Sequence, residues 1–194
     1  MSTLDDVTAA SGRMALVPFE HIAALGSSFA AGPGIRPIVD RWAGRSGRNF
    51  AHLLAQKYGA RLTDLSVSGA TTPTILDTEQ RVLWHRFAPQ VDGVPTDADL
   101  VTITAGGNDL NYVGSLMKAG YAGWFRCRPV EGAIPPSGAE VVRVSVASQN
   151  HAVGSAEPWV TGFRPSLRGP AAFHPNAAGM AAIAALIELH LGVA

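Results

Sequence analysis

Leu100-Val101-Thr102-Ile103-Thr104, run directly into Ala105-Gly106-Gly107-Asn108-Asp109, is the stretch on which the reading of this chain turns. The first five residues are apolar or β-branched and end at a glycine pair, the pattern of a buried strand that stops in a tight turn. A glycine-rich turn carrying an amide side chain at a strand end is a place to hold a developing negative charge. Working outward, Gly26-Ser27-Ser28-Phe29 follows another apolar run, His21 to Leu25, and Gly69 follows a third, Leu62 to Val67. Phe173-His174-Pro175-Asn176 lies just before a helix near the C-terminus. A serine, a glycine, an asparagine and a histidine thus stand in that order, three of them at strand ends. The set supplies a nucleophile, two oxyanion donors and a base.

Composition narrows the classes. The chain has 194 residues, 47% of them hydrophobic and 15% charged, which describes a globular chain with a real core. Lys+Arg and Asp+Glu are both 15, and no basic patch points to nucleic acid. The single cysteine, Cys127, excludes an internal disulfide framework. No apolar run is long enough to span a membrane. Met1 to Glu20 contains Asp5 and Asp6 and lacks the apolar region of a signal peptide, so the expected compartment is the cytoplasm, with a secreted mature form as the alternative.

Along the chain, residues 1–18 read as a loose N-terminal arm and 19–194 as one domain. Ile22 to Leu25 is a short buried strand. Asn49 to Tyr58 has Phe50, Leu53, Leu54 and Tyr58 at helical spacing, with Gly59 as its stop. Arg61 to Ser68 alternates as a second strand. Thr72-Pro73 offers an N-cap and a first-turn proline for a helix through Glu79. Asp99 to Thr104 is the third strand and Val141 to Val146 the fourth. Asn176 to Leu191 is the last helix, with Met180, Ile183, Ile187 and Leu191 on one face. Alternating strands and helices indicate α/β architecture: a three-layer sandwich with a short parallel sheet flanked by helices.

Each candidate has a plainer reading. Ser28 taken alone is a turn residue or helix cap, Gly69 a turn glycine, and Asn108 an Asx-turn residue. The functional reading rests on convergence, because ligands of open α/β sheets bind beyond the carboxyl ends of the strands. Asp109 is expected to fix the turn. His174 precedes Pro175, which keeps it extended and off the following helix. His21, His52, His85, His151 and His190 are scattered, read as surface or capping residues, and show no metal-ligand spacing. No Gly-x-Ser-x-Gly elbow lies in mid-chain, and Gly26 to Gly34 lacks the dinucleotide-binding Gly-x-Gly-x-x-Gly spacing.

Together these residues resemble the SGNH hydrolases, also called the GDSL esterase/lipase family, and its actinobacterial branch in particular. The family's Ser block corresponds to Gly26-Ser27-Ser28-Phe29, its Gly to Gly69, its Gly-x-Asn-Asp to Gly106-Gly107-Asn108-Asp109, and its Asp-x-x-His to Ala171-Ala172-Phe173-His174. The resemblance implies a flavodoxin-like topology and a serine hydrolase acting on carboxylic esters, short acyl esters first. Ser28 would be the nucleophile and His174 the base. Ser28 N–H, Gly69 N–H and the Asn108 amide would form the oxyanion hole. No metal and no cofactor would be needed, and the partner would be a small-molecule ester.

Three departures from the family pattern matter. Ser27 replaces an Asp that organises the first turn. Ala171 stands where the triad Asp would be, so a backbone carbonyl near Ala171 is expected to orient the imidazole, with Glu157 as a remote substitute. The chain is also expected to lack a strand-helix unit between the Asn block and the last strand. Asn111 to Glu140 holds one helical segment, Tyr112 to Gly120, and then a Pro-rich stretch from Arg128 to Pro136. The loss would leave an apolar gap or an open sheet edge through which copies could pair. The rival from another class is a catalytically inactive relative serving as a binding module.

Overall fold

β1, His21–Gly26, is the centre of the molecule: all six of its residues are buried. The computed structural model describes residues 18–111, 139–163 and 171–193. Most of the N-terminal arm (1–17), the Tyr112–Gly120 segment and the Arg128–Pro136 stretch lie outside the described residues. Two further hairpin strands, β2 (Ile38–Asp40) and β3 (Arg45–Ser46), precede β4 (Arg61–Asp64). A second hairpin, β5 (Gln80–Val82) and β6 (His85–Phe87), precedes β7 (Leu100–Thr104).

β1 is paired in parallel with β4 on one side and β7 on the other, giving among the described residues a three-stranded sheet in the order β4-β1-β7. The second strand of the sheet, the first and the third thus lie side by side, the flavodoxin-like beginning. The two hairpins were not anticipated. They are too short for a periodicity to register: β3 has two residues, and β2, β5 and β6 have three each.

The two faces of β1 explain the layers. Ile22 and Ala24 point to one face, where helices α2 (Phe50–Tyr58) and α5 (Ala177–Leu191) pack with Phe50, Leu54, Met180, Ala184 and Ile187 in one core cluster. Ala23 and Leu25 point to the other, against Ala70 and Ile75, with Leu65, Val94 and Ala98 at its rim. This second layer comprises α3 (Thr72–Leu76) and a 3-10 turn, Gln90–Gly93. The caps follow sequence chemistry. Asn49 Oδ1 accepts from His52 N at the start of α2, and Asn176 Oδ1 from Gly179 N at the start of α5. Gly59 and Gly192 close the same two helices in the left-handed conformation.

Several expectations are corrected. Val141 to Val146 is not a strand: Val144–Ala147 forms α4, one helical turn, and none of its residues is buried. β-branched residues without a covered face have nothing to make them strand. The second strand pairs only over Arg61–Asp64, although Leu65 N and Val67 N still donate to Ala24 O and Gly26 O. α3 ends at Leu76 rather than Glu79, and its N-cap is Thr71, one residue earlier than expected.

His21 is no surface residue. It is buried, with Nδ1 3.0 Å from Asp97 Oδ1 and Nε2 2.8 Å from Thr63 Oγ1. Val101 and Ile103 of β7 register with Ala23 and Leu25 on the second face, yet are 45% and 61% exposed.

Candidate functional site

The carboxyl end of β1 leads straight into the site. Gly26 has φ +142°, and a Cβ there would lie 2.4 Å from Thr104 O, so only glycine fits between β1 and β7. Ser27 N donates to Thr104 O at 3.0 Å, and Ser27 O accepts from Ala30 N and Ala31 N. These bonds set up α1, the four-residue turn Ser28–Ala31, which Gly32 ends in the left-handed conformation. Ser28, at its first position, is buried. Ser27, where an Asp was the family expectation, is buried in the same turn.

His174 meets it from the opposite end of the sequence. Its Nε2 lies 2.8 Å from Ser28 Oγ. Its Nδ1 lies 2.7 Å from Ala172 O. A carbonyl only accepts, so Nδ1 carries the proton, and Nε2 is left to accept the serine O–H. The imidazole is buried, and that burial lowers its pKa from the ordinary histidine value, opposed by the Ala172 bond, which favours the charged form. The ring is thus neutral and basic near pH 7. Phe29 packs against it at 5.0 Å between ring centroids. Among the described residues no carboxylate reaches Nδ1. Glu157 is engaged through its main chain, whose carbonyl accepts from His151 Nδ1 at 2.7 Å.

The loop holding His174 is built by Thr161 and the residues just before it. Thr161 N donates to His174 O and Phe173 N to Thr161 O, while Val160 and Pro175 form an isolated bridge. The Thr161 hydroxyl donates to Ala171 O and accepts from His174 N. Phe173 takes φ +59°, unusual for a bulky residue, and so turns the chain sharply just before the histidine. Beneath it, Asn176 Nδ2 donates to Pro158 O, and His151 stacks on Trp159 with centroids 4.0 Å apart.

Gly69 and Asn108 lie on the neighbouring strand ends. Gly69 has φ +84°. Among the described residues neither its N–H nor that of Ser28 has a protein acceptor, which leaves both free for a ligand. Asn108 Nδ2 donates to Ala70 O at 2.7 Å, committing one of its two N–H groups to the Gly69 loop. The Asp109 carboxylate accepts from Thr72 N at 2.9 Å, so it fixes the turn as expected, by pinning it to the start of α3. Behind the Gly69 loop, Asp64 accepts from Ser66 N, Ser66 Oγ and Asn49 Nδ2. This acidic hub was also not foreseen.

The assembly is a serine hydroxyl, a neutral imidazole bonded to it, main-chain amides without an acceptor among the described residues and an amide side chain, at the carboxyl ends of a parallel sheet. Residues 24–123 match the GDSL-like lipase/acylhydrolase family, just over half of the chain. The chain belongs to that family. The matched region contains Ser28, Gly69 and Asn108, while His174 lies beyond it and is tied to the site by its contact with Ser28.

The chain is 36% identical over 123 residues to a protein named Lipase 2 from Streptomyces coelicolor, an alignment that takes in 62% of this chain and 40% of the relative. It thus spans about two fifths of that relative's length. Among solved structures, a phospholipase A1 from Streptomyces albidoflavus superposes with a TM-score of 0.67 at 15% identity, over 88% of this chain and 99% of that one. An extracellular lipase from Streptomyces rimosus does so at 0.57 and 18% identity, with the same coverage. These two likenesses establish the shared fold. No helix among the described residues is long and apolar enough to cross a membrane.

Proposed function

We propose that this chain hydrolyses carboxylic esters through an acyl-enzyme on Ser28. The observation that carries the reading is the 2.8 Å contact between Ser28 Oγ and His174 Nε2, with Nδ1 held on Ala172 O. Ser28 Oγ attacks the ester carbonyl as Nε2 takes its proton. The carbonyl oxygen becomes an oxyanion, bound by the free N–H groups of Ser28 and Gly69 and by the second N–H of Asn108. The tetrahedral intermediate collapses as His174 returns the proton to the leaving alcohol. Water then attacks the acyl-serine with His174 again as base, releasing the acid.

In place of a triad carboxylate, the Ala172 carbonyl orients the ring. It stabilises the imidazolium less than a full charge would. Short acyl esters are the substrate class assigned first, and the lipases among the relatives extend it to acyl lipids. The test is turnover of a chromogenic short-chain ester, with Ser28→Ala as control. Hydrolysis by the parent and none by the variant is expected. An Ala variant that keeps most of its turnover overturns the assignment, and a parent that binds esters without cleaving them returns the chain to a binding role.

A further inference from the structure

The two hairpins flanking the Gly69 loop have no part in the mechanism above, and they carry the most exposed large hydrophobic side chains of the described structure. Leu83 and Trp84, the two-residue tip between β5 and β6, are 74% and 75% exposed. Leu83 takes φ +55°, a conformation that a turn ordinarily gives to glycine. A large apolar pair thus stands in solvent at a position where turn chemistry asks for something else.

Behind the tip, Trp42 makes an edge contact with Trp84 at 5.1 Å and stacks on His85 at 5.0 Å, and Val39 is exposed alongside in β2. The other face of the β5–β6 hairpin is basic. Arg81 and Arg86 stand directly opposite each other in register, an arrangement of like charges that costs stability. Arg41 lies over the Trp42 ring at 4.4 Å.

Of the acidic groups nearby, Asp40 caps Trp42 N and Ala43 N and faces Arg45, and Glu79 pairs with Arg86, while Asp77 accepts from Thr78 Oγ1 and keeps its charge. Among the described residues Arg41 and Arg81 have no carboxylate partner. Both hairpins are fastened to the proposed oxyanion loop: Ser68 N donates to Ala43 O at 2.8 Å and Gln80 Nε2 to Ser68 O at 2.9 Å.

We propose that Leu83, Trp84 and Trp42, flanked by Arg41 and Arg81, form a docking surface for anionic lipid that seats the chain on a lipid aggregate beside its Ser28 site. A projecting Leu-Trp tip enters the headgroup region, where tryptophan is at home with its ring in the apolar boundary and its N–H in the wet layer. Arg41 and Arg81, which have no carboxylate partner among the described residues, answer the negative surface potential. A second copy of the chain would instead need a self-complementary face, which a convex tip does not offer. The delivery of an acyl lipid to Ser28 rests on the ester-hydrolase reading; the docking itself does not.

The test uses the Ser28→Ala chain, so that nothing is hydrolysed, with phosphatidylcholine vesicles made with and without phosphatidylglycerol. Co-sedimentation with the anionic vesicles and a blue shift of tryptophan emission are expected. Leu83→Gly with Trp84→Ala, which suits the positive φ, should weaken partition by about tenfold and remove most of the shift. Arg41→Gln with Arg81→Gln should weaken it about tenfold on anionic vesicles only. Circular dichroism checks that each variant is folded.

No partition by the Ser28→Ala chain, or partition unchanged by the tip substitutions, overturns the proposal. So does a concentration-dependent dimer in sedimentation velocity that Trp84→Ala abolishes while vesicle binding is absent. Soluble-ester turnover by the parent without vesicle binding would remove the docking surface and leave the hydrolase. Vesicle binding without turnover would do the reverse.

Discussion

The Gln90 side chain grips both main-chain polar groups of Gly26. Gly26 N donates to Gln90 Oε1 at 2.7 Å, and Gln90 Nε2 donates to Gly26 O at 3.1 Å. Gly26 is the last residue of β1, two before Ser28, so this buried amide sets the direction in which the chain enters the nucleophile turn. Gln90→Leu leaves the buried Gly26 N–H without its acceptor and should cost about 1–3 kcal/mol in urea denaturation. As a positioning residue, Gln90 should affect kcat well beyond KM. Gln90→Glu keeps an acceptor for Gly26 N and should recover part of both losses. Equal activity in all three chains would mean that the turn holds itself.

Asn108 divides its amide between structure and chemistry. One N–H is spent on Ala70 O, and the other is assigned to the oxyanion. Asn108→Ala should lower kcat by roughly 10²–10³, the usual cost of one such donor. KM should move much less, because the bond strengthens in the transition state. A loss confined to KM would assign Asn108 to holding the substrate or the Gly69 loop.

Thr161 holds the base from outside the recognisable blocks. Thr161→Val preserves shape but removes the hydroxyl that donates to Ala171 O and accepts from His174 N. Two main-chain groups lose partners, so stability should fall by about 1–3 kcal/mol. Thr161→Ser should restore kcat, since the hydroxyl alone does the fastening. A Val variant with parental kcat would show that the Phe173 turn places the imidazole unaided.

The legibility of the chain followed the range of its interactions. β1, β7, α2 and α5 were readable because their signals are local: an apolar run closed by glycine, or helical spacing between an asparagine cap and a glycine stop. The candidates Ser28, Gly69, Asn108 and His174 stood out because each sits in a short motif at an element's end. Gln90, Thr161 and Asp64 were not, since each acts across a fold that brings distant residues together: Gln90 lies 64 positions from Gly26. Val141 to Val146 misled for the complementary reason. Its residues suit a strand, but among the described residues no neighbour pairs with it, and half-covered apolar residues settled into one helical turn.

The last prediction concerns the proton on His174. Burial lowers its pKa, and the Ala172 carbonyl opposes this only in part. The base must be neutral, so kcat/KM should rise with pH through an apparent pKa below the ordinary histidine value of about 6.5 and be level at pH 7. Stability carries the same sign: the unfolded histidine binds its proton at a higher pH than the folded one. The fold should lose stability as pH falls below about 6.5, down to the folded pKa, and be unaffected by this group above that window. Ala171→Asp puts a carboxylate three residues before the histidine. If it reaches Nδ1, it raises the imidazole pKa, moves the acid limb upward and increases kcat by stabilising the imidazolium. Glu157→Gln should leave both the rate and the limb in place, because Glu157 contributes a main-chain oxygen to His151 and no charge to His174. A folded Glu157→Gln chain without activity would instead mean that a carboxylate serves the imidazole during turnover, and the carbonyl-oriented pair would give way to a conventional triad.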